Sequence, residues 1–167
     1  MPHPVHRAVV PAAGRGTRMV PFSAVVPKEL APVGSTPLLH FVLDEAVSAG
    51  IDELAIVSNA TKSLLSDYVD WAQGEGHWPD LAVRWVEQAR PDGLADAIYR
   101  CRDFCSGEAF GLLLPDNLPL APDYRFRALV EAASTTGLHA IAVLELDHAA
   151  SGLYGNCGRI RHQPRAD

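Results

Sequence analysis

The chain reads as an α/β protein, a mostly parallel sheet covered by helices on both faces. Three observations predict this. Short apolar runs alternate with helical patterns along most of the sequence. The connections between them are short. Several of the runs are apolar throughout rather than alternating, as strands buried on both faces are. Hydrophobic residues make up 48% of the 167 positions and charged residues 20%, the composition of a globular protein with one substantial core.

The elements follow in order. His6 to Pro11 (HRAVVP) is a short apolar strand that runs into a glycine loop. Thr36-Pro37 opens a helix over Leu38 to Ala49, with Thr36 as N-cap, proline at the first helical position and Gly50 just past the end. Leu54 to Val57 (LAIV) is the second strand, and an amphipathic stretch follows from Thr61 to Trp71. Residues 73–80 (QGEGHWPD) form a polar break before a third strand, Leu81 to Val86, and a helix, Gly93 to Phe104. Phe110 to Leu114 (FGLLL) reads as a buried strand stopped by Pro115. A helix over Arg125 to Thr135 and a fifth strand over His139 to Leu144 complete the pattern. From Ser151 the sequence turns to glycines and basic residues.

Ligands in such sheets bind beyond the carboxyl ends of the strands. The loop after the first strand and Asp116 after the LLL run both fall at that edge, so the two are expected to meet.

Charge narrows the ligand. The net charge of −6 and a pI near 5.6 disfavour a nucleic-acid binder, which needs a broad basic face. Residues 1–30 nevertheless carry Arg7, Arg15, Arg18 and Lys28 against Glu29 alone, a net of +3, which leaves −9 for the remainder. A cationic island in an acidic chain suits a compact anion better than a polymer. No segment approaches the apolar length needed to cross a bilayer, and Met1 to His6 does not resemble the start of a secretory signal. The three cysteines (Cys101, Cys105, Cys157) have no CxxC spacing, and they read as reduced thiols of a cytoplasmic protein.

The loop itself is VVPAAGRGTRMVPFSAVVPKELAPV, residues 9–33. Gly14 and Gly16 let backbone amides approach a ligand that side chains would block, and phosphate is the natural guest. A P-loop would need its lysine directly after the second glycine of GxxxxG, and here the lysine comes much later. A dinucleotide fingerprint would need a third glycine where Met19 stands, and an acidic residue after the second strand, where Ser58 and Asn59 stand. Arginine occurs twelve times and lysine only twice, so a lysine in the Pro-Lys pair points to a chemical requirement rather than a generic charge. Arg15 reads as solvated. The seven histidines show no metal-ligand spacing.

The G-x-G-T-R run followed by P-K resembles the signature loop of the sugar-1-phosphate nucleotidylyltransferases. It is closest to UTP–glucose-1-phosphate uridylyltransferases, as is VSNATKSLLSDYVD. EQARPDGLADAIYRCRDFCSGEAFGLLLPDNL is similar to glucose-1-phosphate thymidylyltransferases. The resemblance covers the N-terminal part of a complete member, and implies a Rossmann-like, GT-A-type nucleotidyltransferase fold.

It also implies roles. Ala12, Ala13 and Gly14 match the segment that meets the base. Gly16, Thr17 and Arg18 match the part that holds the β- and γ-phosphates, with Arg18 on the leaving pyrophosphate. Lys28 matches the lysine between the α-phosphate and the sugar phosphate. Gln88 matches the glutamine that reads the pyrimidine edge, and Gly93 the glycine beside it. Asp116 matches a ligand of Mg²⁺, and Tyr154-Gly155 a pair lining the sugar pocket. Ser23 stands where the family usually has threonine and keeps its hydroxyl.

The family's Glu-Lys-Pro segment and second magnesium aspartate have no counterpart in the sequence. Arg159, Arg161 and Arg165 read as a solvated terminus. The expected organisation is a nucleotide-binding domain over residues 1–150 and a basic, Gly-rich tail over 151–167 that begins an incomplete sugar-binding part. The expected partners are a nucleoside triphosphate and a sugar 1-phosphate, with no nucleic acid and no membrane, and a homo-oligomer is one option. Three alternatives stay open: a truncated, non-catalytic nucleotide-binding homologue, a subunit completing a hetero-oligomer, and a cytidylyltransferase-like enzyme with a non-sugar phosphate or phosphonate acceptor.

Overall fold

A computed structural model describes residues 4–118 and 125–143. Six strands and five α-helices are described: β1 (Arg7–Pro11), β2 (Pro32–Val33), β3 (Thr36–Pro37), α1 (Leu38–Ser48), β4 (Glu53–Ser58), α2 (Ser63–Gly74), β5 (Ala82–Glu87), α3 (Leu94–Arg100), α4 (Arg102–Cys105), β6 (Phe110–Leu112) and α5 (Arg125–Thr136). The main sheet has the order β5-β4-β1-β6 and is parallel throughout. This is the expected α/β architecture.

The pleat divides each central strand between two cores. Ala8 and Val10 of β1 and Leu54 and Ile56 of β4 face the larger core, which α1, α2 and α5 cover through Leu39, Leu43, Leu65, Val69 and Phe126. Val9, Ala55 and Val57 face the other way, against Ala97 of α3, Phe104 and Cys105 of α4, and Cys101 between the two helices. In α1, Leu39, Val42, Leu43 and Ala46 are buried, a single helical stripe.

Strands β1, β4 and β5 run outward in sequence, and the chain then crosses back to lay β6 on the other side of β1. The direction of winding therefore reverses between β1 and β6. In parallel sheets the crevice at the carboxyl ends of two such strands is where ligands bind.

The structure corrects five local expectations. Thr36 does not cap α1. With Pro37 it forms β3, antiparallel to β2, and the extended Pro37 precedes the first turn with no side-chain cap. Helix α2 runs on to Gly74, into the expected polar break. The expected single helix from Gly93 to Phe104 is two segments that part at Cys101. Strand β6 is shorter than expected and only half-buried: its Gly111 face packs on the Phe126 ring of α5, whereas Phe110 and Leu112, on the opposite face, are exposed. Of the fifth strand, residues 139–143 are exposed and form no strand, and Leu144 lies outside the described residues.

Candidate active site

The loop after β1 leaves the sheet at Ala12, whose N–H donates to Val57 O at 2.7 Å. Gly16 sits at φ 64° and ψ 32°, a left-handed conformation in which a Cβ is strained. A Cβ there would also lie 3.1 Å from Ser23 Cβ and 3.3 Å from Lys28 Cβ. The return of the loop is fixed at this point, because Ser23 Oγ donates to Gly16 O at 2.7 Å. Gly14 has open space where its Cβ would be, and Arg15, Thr17 and Arg18 are exposed around it. Ala12 and Ala13 are buried beneath them.

The returning segment carries Lys28 to the crevice between β1 and β6. There its Nζ donates to Asp116 Oδ2 at 2.6 Å, across 88 positions of sequence. The two residues singled out at the sheet edge are thus brought together. Lys28 is mostly covered, whereas Asp116 is largely exposed.

Beneath the loop lies a group that the sequence reading missed. Lys62, just before α2, donates to Ala12 O at 2.6 Å, to Gly14 O at 2.7 Å and to Glu29 Oε2 at 2.8 Å. These contacts use all three N–H donors of an ammonium. In a trans peptide the carbonyl and the following N–H point in opposite directions. Holding the carbonyls of Ala12 and Gly14 toward Lys62 therefore turns the amides of Ala13 and Arg15 away from it. Asn59 does the same for the intervening peptide, its Nδ2 donating to Ala13 O at 3.1 Å. Glu29 is 1% exposed. Its second oxygen, Oε1, lies 4.0 Å from Lys28 Nζ, so the carboxylate sits between the chain's two lysines. The scarcity of lysine, used above to single out Lys28, applied equally to Lys62.

At the end of β5, Gln88 is 3% exposed. Its backbone N–H donates to Ser58 O at 2.7 Å, and its Nε2 donates to Gly93 O at 3.1 Å and to Asp96 Oδ2 at 2.7 Å. Gly93 has φ 100°, again a glycine conformation. Asp96 also accepts from Arg100 Nε at 2.7 Å. The Arg100 hydrogen bond, then that of Gln88, holds the Asp96 carboxyl below the usual carboxylate range. Gln88 and Gly93 are therefore together as expected, with Asp96 and Arg100 added to them. Tyr154 and Gly155 lie outside the described residues.

The chemistry of these donors fits magnesium at Asp116. One exposed carboxylate beside an open glycine loop is compatible with the usual Mg²⁺ pattern, in which waters and substrate oxygens fill most positions. His6, Asp52 and Glu53 bring their ligand atoms within 4.8 Å of one another, but at the opposite end of the sheet. Burial raises the Cys101 thiol to about 11 and raises Cys105 as well, so neither is a thiolate nucleophile at neutral pH.

Comparison with known proteins bears on the family and the fold. Residues 7–157 match the family model described as nucleotidyl transferase. The chain is 32% identical over 168 residues to UTP–glucose-1-phosphate uridylyltransferase 2 of Staphylococcus saprophyticus, covering 90% of this chain and 58% of the relative. It is 34% identical over 170 residues to the UTP–glucose-1-phosphate uridylyltransferase of Komagataeibacter xylinus, covering 91% and 60%. Among solved structures, a UDP-glucose pyrophosphorylase complexed with UDP-glucose superposes with a TM-score of 0.72 at 26% identity, over 80% of this chain and 54% of that one. A UTP-bound UGPase from Acinetobacter baumannii gives 0.67 at 25% identity, over the same shares. The chain thus spans a little over half the length of these relatives.

Proposed function

The chain belongs to the nucleotidyl transferase family, and on that premise we propose that it transfers a nucleotidyl group from a pyrimidine nucleoside triphosphate to a sugar 1-phosphate, releasing pyrophosphate. The observation that carries this reading is the meeting of Lys28 and Asp116 at the crevice between β1 and β6. It places an ammonium and an exposed carboxylate beside a loop whose amides are turned outward.

In this reaction a phosphate oxygen of the sugar 1-phosphate attacks the α-phosphorus, and the bond from that phosphorus to the β-phosphate bridging oxygen breaks. The nucleophile is already anionic and needs no general base. The protein has to offset repulsion between two anions and stabilise the departing charge. Lys28 serves the first need, between the α-phosphate and the incoming phosphate. Arg18, with Gly16 and Thr17, serves the second at the β- and γ-phosphates, where a guanidinium fork suits a leaving pyrophosphate. Ala12, Ala13, Gly14, Gln88 and Gly93 form the base side. Mg²⁺ held by Asp116 would supply further neutralisation of the phosphates. Residues 1–150 make up the nucleotide-binding unit in this reading, and 151–167, with Tyr154 and Gly155, begin the sugar side. A cytoplasmic location suits the buried, unpaired thiols of Cys101 and Cys105.

The test is pyrophosphate release with Mg²⁺ and glucose 1-phosphate across UTP, dTTP, CTP, ATP and GTP. Turnover with UTP or dTTP is expected. It should fall by about 100-fold or more in Lys28→Ala, on the scale of losing one transition-state electrostatic contact. Silence across the panel, with nucleotide still bound, would overturn catalysis by this chain on glucose 1-phosphate and leave a binding role or a different acceptor.

A further inference from the structure

Gln88 offers any ligand less than a free glutamine would. A primary amide has two N–H donors and one carbonyl acceptor. Both donors face inward, one to the Gly93 carbonyl and one to the Asp96 carboxylate. Neither partner can donate when Asp96 is ionised, so a flipped amide would set its oxygen against two acceptors. Arg100 keeps Asp96 in place, through Nε to Asp96 Oδ2 at 2.7 Å, and its Nη1 reaches Glu87 O at 3.4 Å. The Gln88 carbonyl is what remains for a base.

We propose that Asp96, held by Arg100, is a positioning residue for base selection: it pins the Gln88 amide so that the site presents an acceptor, which favours uracil and thymine triphosphates over CTP. This rests on the reading above, in which Gln88 faces the base. Uracil and thymine carry a donor at N3, which meets that acceptor directly. Cytosine carries a lone pair at N3 and can satisfy the acceptor only by sliding its 4-amino group into place. An unpinned amide would turn its N–H groups toward cytosine N3 and lose the distinction. Sites built around one fixed hydrogen-bonding partner discriminate far better than adaptable ones.

The experiment measures Kd for UTP, dTTP and CTP, without acceptor, by titration calorimetry on the wild type, Asp96→Ala and Asp96→Asn. Thermal unfolding reports folding of each variant. The wild type is expected to prefer UTP or dTTP over CTP by about tenfold or more, the worth of one discriminating hydrogen-bond pair. Asp96→Ala should shrink that ratio severalfold, by weakening UTP and strengthening CTP. A purely structural Asp96 would weaken all three equally, and that result overturns the proposal.

Nuclear magnetic resonance of the nucleotide-free protein gives a second readout. The two Gln88 side-chain amide hydrogens should exchange slowly with solvent in the wild type and quickly in Asp96→Ala. Free exchange in the wild type also overturns the lock. If Asp96→Ala does not fold, Asp96→Asn carries the same test, with a smaller change because its carbonyl still accepts from Gln88. Failure of the wild type to bind any triphosphate would overturn the reading of the site, and base selection with it. Triphosphate binding with no preference, or with a preference that Asp96 does not alter, would sink the lock alone.

Discussion

Both ends of the main sheet carry a cluster of charges, and the two clusters are built differently. At the amino end, Arg7 Nε donates to Glu53 Oε2 at 3.2 Å and its Nη1 to Glu108 Oε2 at 3.1 Å, while His6 Nδ1 lies 3.0 Å from Asp52 Oδ1. The acids there are solvated, and Glu53 and Glu108 share Arg7. At the carboxyl end the charges sit deeper and hold backbone. Lys62 ties two loop carbonyls to a buried carboxylate, and Glu29 Oε1 and Ser58 Oγ are buried with no hydrogen-bond partner among the described residues. A native fold keeps few such orphans, and each calls for a reason. The amino end keeps its acids at the surface. The carboxyl end keeps polar atoms under cover and a loop that turns through a left-handed glycine, Gly16. The contrast between them is one that substitutions can break.

The largest effect should come from Lys62→Met. It leaves Glu29, at 1% exposure, without its closest cation, and breaking a buried pair from one side costs about 3–5 kcal/mol. Urea unfolding should show that loss. The double variant Lys62→Met with Glu29→Gln should recover much of it, because no buried charge is then stranded. What persists in the double variant measures the two carbonyl contacts, each on the order of 1 kcal/mol. If Lys62→Met proved no worse than an exposed substitution, the claimed difference between the two ends would collapse.

The Lys62 hub also marks the limit of what the sequence could reveal. The architecture was legible because apolar runs such as AVV in β1 and LAIV in β4 are local patterns, buried on both faces. Lys28 and Asp116 were legible because each follows a strand or a signature at a position where ligands gather. The contacts of Lys62 with Ala12, Gly14 and Glu29 span 50, 48 and 33 positions, and no local pattern announces a contact of that kind. Asn59 was weighed only as a failed dinucleotide fingerprint, although its side chain reaches Ala13 O. Asp96 lies in a helical run where an acid near an arginine four positions on reads as a surface ion pair. Its second contact, to Gln88, emerges only when the end of β5 is set beside α3. Thr36 failed for a related reason: the Thr-Pro pair has the look of a helix start, but pairing with β2 outcompetes the cap.

A middle-sized effect is expected for Gly16→Ala. The alanine would have to hold a left-handed backbone, at a cost of about 1–2 kcal/mol, and its methyl would press on Ser23 and Lys28. The strain sits at the turn that sets both the outward amides and the return to Lys28. Triphosphate affinity should therefore fall along with stability. Ser23→Ala separates the two contributions, since it removes the hydroxyl that donates to Gly16 O and leaves φ alone. A smaller loss is expected there, about 1 kcal/mol. Equal losses in the two variants would mean that the hydrogen bond, not the glycine conformation, sets the turn.

The smallest effect is expected at the amino end, for Glu108→Gln. This carboxylate is more than half exposed and shares Arg7 with Glu53, so its loss leaves Arg7 partnered. Exposed pairs of this kind are screened by salt and contribute little. The urea midpoint should not move beyond error, and triphosphate affinity should match the wild type, because β1 is held in register by backbone pairing with β4 along its whole length and with β6 over Arg7 to Val9. A change in triphosphate affinity would carry more weight than a change in midpoint. It would mean that a charge at one end of β1 is felt at the loop on the other, and that the two ends of the sheet are coupled rather than merely different.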